Sequence, residues 1–398
     1  MIGYWPRCSL LISGYTGGMA IRALRFRQAT LIALALLWYP INSSLAQDVS
    51  ENLILVTVDG VRWQEVFGGV DMKLIEDERF TSEPEYLTQT YWREQRSERR
   101  RALFPFLWSV IEDKGTLIGD RNQESYIEVS NNKWFSYPGY NEILTGRADP
   151  NIDSNEKIWN PNVTFLEALN ELEAFHDRVL AFGSWDVFPY IINSQRSGVP
   201  VNAGFATASN VATAESQFLN ELSAEAPKLW STVRVDFLTN GYAMDALRSQ
   251  NPRVIYIAYG ETDDFAHDGN YDRYIDAAHR TDLMLSKLWH WVQSTPSYRD
   301  RTTLIITTDH GRGSTPDSWK DHSNPAAPDE QGVEAALDGL QKSNEIWLAA
   351  IGPHIKPAGP VKGHWKQSQI AATALASLQL DSTRLMPGAD SAITQILQ

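Results

Sequence analysis

The stretch NLILVTVDG, residues 52–60, decides the fold. Leu53, Ile54, Leu55, Val56 and Val58 leave little polar alternation, so residues 52–58 are expected to form a strand buried on both faces. The run stops at Asp59-Gly60, and the chain repeats this strand-then-acid arrangement twice. PRVIYIAYGETDD (252–264) runs into Glu261-Thr262-Asp263, and TTLIITTDHG (302–311) runs into Asp309-His310-Gly311. Further strands are expected near 126–129, in RVLAFGSW (178–185) and in EIWLAAIGP (345–353). Helical spacing marks FPFLWSVIEDKG (104–115), VTFLEALNELEAF (163–175), residues 271–294 and QSQIAATALASL (367–378). Strands alternating with helices predict an α/β fold, a mostly parallel sheet sandwiched by helices. In such sheets ligands gather beyond the carboxyl ends of the strands, where all three acidic runs finish.

The chain has 398 residues, enough for one large domain. Residues 1–46 read as a leader: Arg22, Arg25 and Arg27 precede an apolar run from Ala29 to Tyr39, and Ser44-Leu45-Ala46 offers small residues for cleavage near Ala46. The run is too short to span a bilayer, so no membrane span is expected after cleavage, with retention as an anchor the alternative. The expected location is therefore secreted or periplasmic, with residues 47–398 as the mature domain. Losing the leader removes four arginines and no acid, which takes the formal charge from −14 to −18. So acidic a chain repels nucleic-acid polymers and anionic lipid. The single cysteine, Cys8, departs with the leader, leaving no thiol chemistry. The mixed-charge run REQRSERRR (93–101) is expected to be a solvated helix face.

The candidate chemistry gathers at the strand ends. Asp263 and His267 stand four apart, so one turn of helix can aim both at a single ion. Asp309-His310 follows a strand, with Gly311 permitting close backbone approach. Carboxylate with imidazole is the donor set of zinc-like divalent cations. Such a pair alone is more often structural, but here three acidic strand ends surround NNKWFSYPGYNEILTGR (131–147). In that segment Ser136 stands at the start of a helix-like run, where free N–H groups and the helix dipole favour an anion.

In this order the residues resemble the alkaline phosphatase superfamily, particularly its type I phosphodiesterase and nucleotide pyrophosphatase branch, from Asn52 to about Leu380. The resemblance implies two divalent cations, zinc with manganese as the alternative. One would be held by Asp59, Ser136, Asp309 and His310, and the other by Asp263, His267 and a later histidine. His322 in WKDHSN (319–324) is preferred for that place over His364 in KGHWKQ (362–367), although Ser323 stands where the family usually has glycine. The implied reaction is hydrolysis of a small phosphate ester through a phosphoserine on Ser136, with N–H groups after Ser136 and Asn155 steadying the phosphoryl oxygens. A cap at about 185–250 is expected to choose the substrate, with Trp185 or Phe188 stacking an aryl group or base and Arg196 meeting a second phosphate. Monoester and diester stay open, as does the oligomeric state.

The same segment resembles the sulfatase signature at Ser136, Pro138 and Leu144–Arg147, but Tyr140 occupies the place of its arginine. Phosphoglycerate mutases would need a large extra domain, and only 126 residues separate Ser136 from Asp263. Lipid-A-type phosphoethanolamine transferases carry membrane spans and disulfides that this chain lacks. The contrasting class, a binding module without turnover, is disfavoured because every core ligand position is filled.

Overall fold

The computed structural model describes residues 51–208, 213–325 and 339–398. The leader, Ala46 and Cys8 lie outside the described residues.

Strand β1 (Asn52–Val58) forms as expected and is buried along its whole length. Alternate side chains serve opposite faces of the sheet: Ile54, Val56 and Val58 enter one core, Leu53 and Leu55 the other. With apolar layers on both sides, an unbroken aliphatic run is the sequence that fits. The other strands are β2 (Gly115–Ile118), β3 (Ser125–Glu128), β4 (Val179–Gly183), β5 (Val201–Ala203), β6 (Val254–Tyr259), β7 (Thr302–Thr307), β8 (Leu348–Ile351), β9 (Gly359–Pro360) and β10 (Gly363–Lys366). Eight of them make one sheet in the order β5-β4-β6-β1-β7-β8-β2-β9, and β10 pairs with β3 in a small second sheet. The central pairs β6–β1 and β1–β7 are parallel, while β8 runs against both of its neighbours.

Five helices matter for the site: α1 (Ser136–Thr145), α2 (Asp236–Gln250), α3 (Glu261–His267), α4 (Tyr271–Ser294) and α5 (Gln369–Ser377). Helix α4 buries Tyr271, Tyr274, Ile275, Ala278, Asp282, Leu285 and Leu288 along one stripe that faces the sheet. Helices α1 and α5 cover the opposite face through Tyr140, Ile143, Leu144, Ile370, Ala374 and Leu375.

Two expectations need correcting. Much of residues 185–250, read as a cap, belongs to the main layers: β5 extends the sheet beside β4, and α2 contributes Leu238, Tyr242, Ala243 and Leu247 to the core. The charged run at 93–101 is not simply a solvated face. The Arg99 guanidinium lies over Trp92 at 4.4 Å and Arg100 over Trp108 at 3.4 Å, because aromatic faces attract these cations while their stems pack. Among the described residues no helix is long and apolar enough to cross a membrane.

A candidate metal centre at the carboxyl edge of the sheet

Strands β6, β1 and β7 are neighbours in register, with Val58 opposite Tyr259 and Thr57 opposite Thr307. Their exits therefore converge, and Asp59, the α3 residues and Asp309-His310 share one edge. His310 is wholly buried, and its Nε2 is the focus of the first group. Asp59 Oδ1, Asp309 Oδ2 and Ser136 Oγ each lie 3.4 Å from that nitrogen. Nδ1 of the same ring is paired with the Gly311 carbonyl at 2.9 Å, which directs Nε2 into the cluster.

The other carboxylate oxygens have partners. Asp59 Oδ2 accepts from the Tyr140 hydroxyl at 2.8 Å, and Asp309 Oδ1 accepts from the Gly60 N–H at 3.2 Å. Asp59 Oδ1 and Asp309 Oδ2, in contrast, are buried without a hydrogen bond. Orphaned carboxylate oxygens in a dry interior are costly unless a cation meets them. Electrostatics agree: burial, with Asp263 adding, raises the Asp59 carboxyl, and burial, with Asp59 adding, raises Asp309 well above the usual range. Burial opposes a charged His310, yet the carboxylates of Asp309 and Asp59 push it up to about 9. The pocket is made for positive charge, and these donors suit a divalent metal.

The second group sits beside the first. Asp263 and His267 lie one turn apart on α3, with His267 Nε2 at 3.3 Å from Asp263 Oδ2. His322 Nε2 is 3.0 Å from His267 Nε2 and 3.8 Å from Asp263 Oδ1. The His322 Nδ1 donates to the Trp134 carbonyl at 3.2 Å, so its other nitrogen faces the cluster. Burial, aided by His310, holds His322 well below its ordinary value, as suits a neutral ligand. His310 links the groups: its ligand atom lies within 4.8 Å of Asp59 and Asp309, and also of Asp263 and His322. His364, the rival, is exposed on β10 and stacks on Tyr126 at 4.4 Å between ring centroids, outside both groups.

Ser136 opens α1 and is nearly buried. Two features hold this helix in place. Glu142, buried, accepts from the N–H groups of Ser130 and Asn131 at 2.8 Å each, fixing the approach to Ser136. Gly139 packs on the Asp309 backbone so closely that a Cβ there would lie 2.4 Å from the carbonyl oxygen. Asn155 Oδ1 accepts the Tyr137 N–H at 2.9 Å. That corrects one expectation, since the first N–H after Ser136 is already occupied by Asn155 and is not free for a phosphoryl oxygen.

Two further residues are placed differently from each other. Trp185 follows β4 at the same edge of the sheet, half-buried, with its ring at 6.3 Å edge-to-face with Phe188. The Arg196 guanidinium is taken up by groups of the chain itself. It pairs with Glu167 through Nε and Nη2 at 2.8 and 2.7 Å, and its remaining donors go to the carbonyls of Asn160, Pro161 and Asn162. All five N–H groups of the guanidinium thus have partners within the chain, although the side chain is about one-third exposed.

Three residues of the site escaped the sequence reading. Tyr140 stands where the sulfatase signature has arginine, and its hydroxyl holds Asp59. Gln367 donates to the Asp309 carbonyl at 2.6 Å. Arg312, just beyond Asp309-His310-Gly311, donates to Asp263 Oδ1 at 2.5 Å. A polar residue inside an apolar helix face, and a cation two places past a ligand pair, were the available signals.

A family model described as type I phosphodiesterase / nucleotide pyrophosphatase matches residues 137–379, a span that begins just after Ser136. No curated protein matches the chain. Among solved structures, wild-type alkaline phosphatase PafA superposes with a TM-score of 0.56 at 10% identity, covering 88% of this chain and 99% of its own. BT1596, a 2-O GAG sulfatase, gives 0.52 at 13% identity, covering 87% and 74% respectively. The phosphonate monoester hydrolase SpPMH from Silicibacter pomeroyi gives 0.50 at 12%, covering 86% and 76%. At these identities the likeness is one of fold.

Proposed function

The chain belongs to the type I phosphodiesterase / nucleotide pyrophosphatase family, and on that footing we propose that it is a secreted hydrolase of small phosphate esters in which Ser136 is the nucleophile. The observation that carries the proposal is the convergence of Ser136 Oγ with two orphaned carboxylate oxygens on His310 Nε2, each at 3.4 Å. Asp59, Asp309, His310 and Ser136 would hold one divalent cation, and Asp263, His267 and His322 the other, zinc or manganese by donor type. When bound, such cations supply Lewis acidity that favours the ionised serine and withdraws charge from phosphoryl oxygens.

The chain's own groups do the rest. The Ser136 oxygen attacks phosphorus, the bond to the leaving oxygen breaks, and water later cleaves the phosphoserine to restore the hydroxyl. Asn155, its amide oxygen fixed by the Tyr137 N–H, is left with its NH2 group to donate to a phosphoryl oxygen. The start of α1 adds a favourable dipole. Tyr140 keeps Asp59 oriented, and Trp185 would stack an aryl or base portion of the substrate. The sulfatase reading gains nothing at residue 140, where the tyrosine hydroxyl is committed to Asp59.

Metal-stripped protein reloaded with Zn²⁺ or Mn²⁺ should be assayed on nitrophenyl phosphate, bis-nitrophenyl phosphate and nitrophenyl sulfate. Phosphate-ester turnover that disappears in Ser136→Ala is expected. Turnover surviving that change, or a preference for the sulfate ester, would overturn the assignment.

A further inference from the structure

Arg312 is unusual among the buried cations because its partner is a candidate metal ligand. Its side chain is fully buried, and Nη1 donates to Asp263 Oδ1 at 2.5 Å. Nη2 donates to the Lys320 carbonyl at 2.8 Å, and Nε to the Trp319 carbonyl at 3.2 Å. One guanidinium therefore joins three segments: the loop leaving β7, helix α3 through Asp263, and the turn that carries His322. Gly60 leaves room for this arrangement, since a Cβ there would lie 2.7 Å from Asp263 Oδ1 and 3.0 Å from Arg312 Nη1.

The two groups then differ in charge. The first offers a cation two carboxylates, Asp59 and Asp309, each with an oxygen that nothing else contacts by a hydrogen bond. The second offers one carboxylate, Asp263, and that one is shared with a guanidinium that cannot lose its proton. Its other two donors, His267 and His322, are imidazoles, so Asp263 is the one carboxylate of the second group and its charge is already balanced by Arg312. The first group is also the drier one, its Asp59, Asp309 and His310 side chains being buried while His267 is 43% exposed, so its two carboxylates act in the lower dielectric.

We propose that Arg312 sets the order of metal loading: by sharing Asp263 it makes the second site the weaker one, so that its cation exchanges while the first is retained. This inference rests on the two-cation reading above. Arg312 is a positioning and charge-setting residue and touches no substrate.

The test is equilibrium titration of the metal-stripped full chain with Zn²⁺ against a chromophoric chelator, with circular dichroism to confirm the fold. Two binding classes at least tenfold apart are expected, and His267→Ala should abolish the weaker class alone. Arg312→Gln should tighten the weaker class severalfold, whereas Arg312→Lys should leave the separation in place. Two equal classes, loss of the tighter class in His267→Ala, or no tightening in Arg312→Gln would overturn the inference. So would tightening in Arg312→Lys. If Arg312→Gln does not fold, the wild-type and His267→Ala titrations still decide whether the second site is the weaker one, and Arg312→Met, expected to tighten that class severalfold, takes over the test of the guanidinium, no tightening there overturning the inference. Failure to bind any divalent cation would instead refute the proposed function.

Discussion

Adding one methyl group to α1 at Gly139 should separate the nucleophile from its site. The new Cβ of Gly139→Ala would stand 2.4 Å from the Asp309 carbonyl oxygen and 3.0 Å from its carbon. Carbon and oxygen do not approach within 3.0 Å, so the gap must open by at least about 0.6 Å. Asp309 cannot give way easily. It leaves a central strand, its carbonyl accepts from Gln367 at 2.6 Å, and its side chain accepts from the Gly60 N–H. The helix must move instead, and Ser136 lies one turn before Gly139 on it. A nucleophile misplaced by about 1 Å can lose roughly a hundredfold in rate, and overpacking of this kind costs about 1–3 kcal/mol. Gly139→Ala should therefore lower kcat about a hundredfold on the best phosphate ester, with KM and bound-metal content near wild type. Gly68→Ala is the control, because nothing lies within 4 Å of a Cβ there. Wild-type kcat in Gly139→Ala would show that Ser136 is not held in register by Asp309.

Other outcomes follow from single contacts. Tyr140→Phe leaves Asp59 Oδ2 buried without its donor, so the metal-free protein should lose about 1–3 kcal/mol in urea unfolding; unchanged stability would contradict the assigned bond. Ser323 has φ of 105° and a buried hydroxyl without a partner among the described residues. Ser323→Gly should relieve that strain and raise stability by about 1–2 kcal/mol, and a lower melting temperature would refute this. Burial pushes the Asp282 carboxyl up to about 7, against hydrogen bonds from the N–H groups of Phe106 and Leu107. The folded state then keeps this proton to higher pH than the unfolded chain, so the group's contribution falls as pH rises from about 4 to about 7 and is level above that. Asp282→Asn should remove this component of the slope in unfolding measured across that window; an identical slope in variant and wild type would contradict it.

What the sequence revealed is what depends on short segments. Aliphatic runs of strand length that stop at an acid specify a buried parallel strand and its exit together, which is why Asp59, Asp263 and Asp309 could be grouped before any coordinates. The four-residue spacing of Asp263 and His267 likewise fixes one helical face. Roles that depend on a distant partner were not legible. Arg196 looks like a phosphate ligand until Glu167 and three carbonyls from residues 160–162 take its donors. Arg312 looks like an ordinary loop cation until Asp263, 49 positions away, meets it. Ser323 in place of a glycine raised doubt about His322, and the backbone there does adopt the left-handed region that glycine favours. The serine was tolerated because a buried turn, tied to residues 132–134 through the His322 ring and Asn324, determines the conformation.

The most direct test is anomalous diffraction at the zinc edge from crystals of the zinc-loaded protein. Two peaks are predicted, one in bonding distance of Asp59, Asp309, His310 and Ser136 Oγ, the other of Asp263, His267 and His322. A first peak that leaves Ser136 Oγ out of reach, or density for zinc only elsewhere on the molecule, would contradict the account.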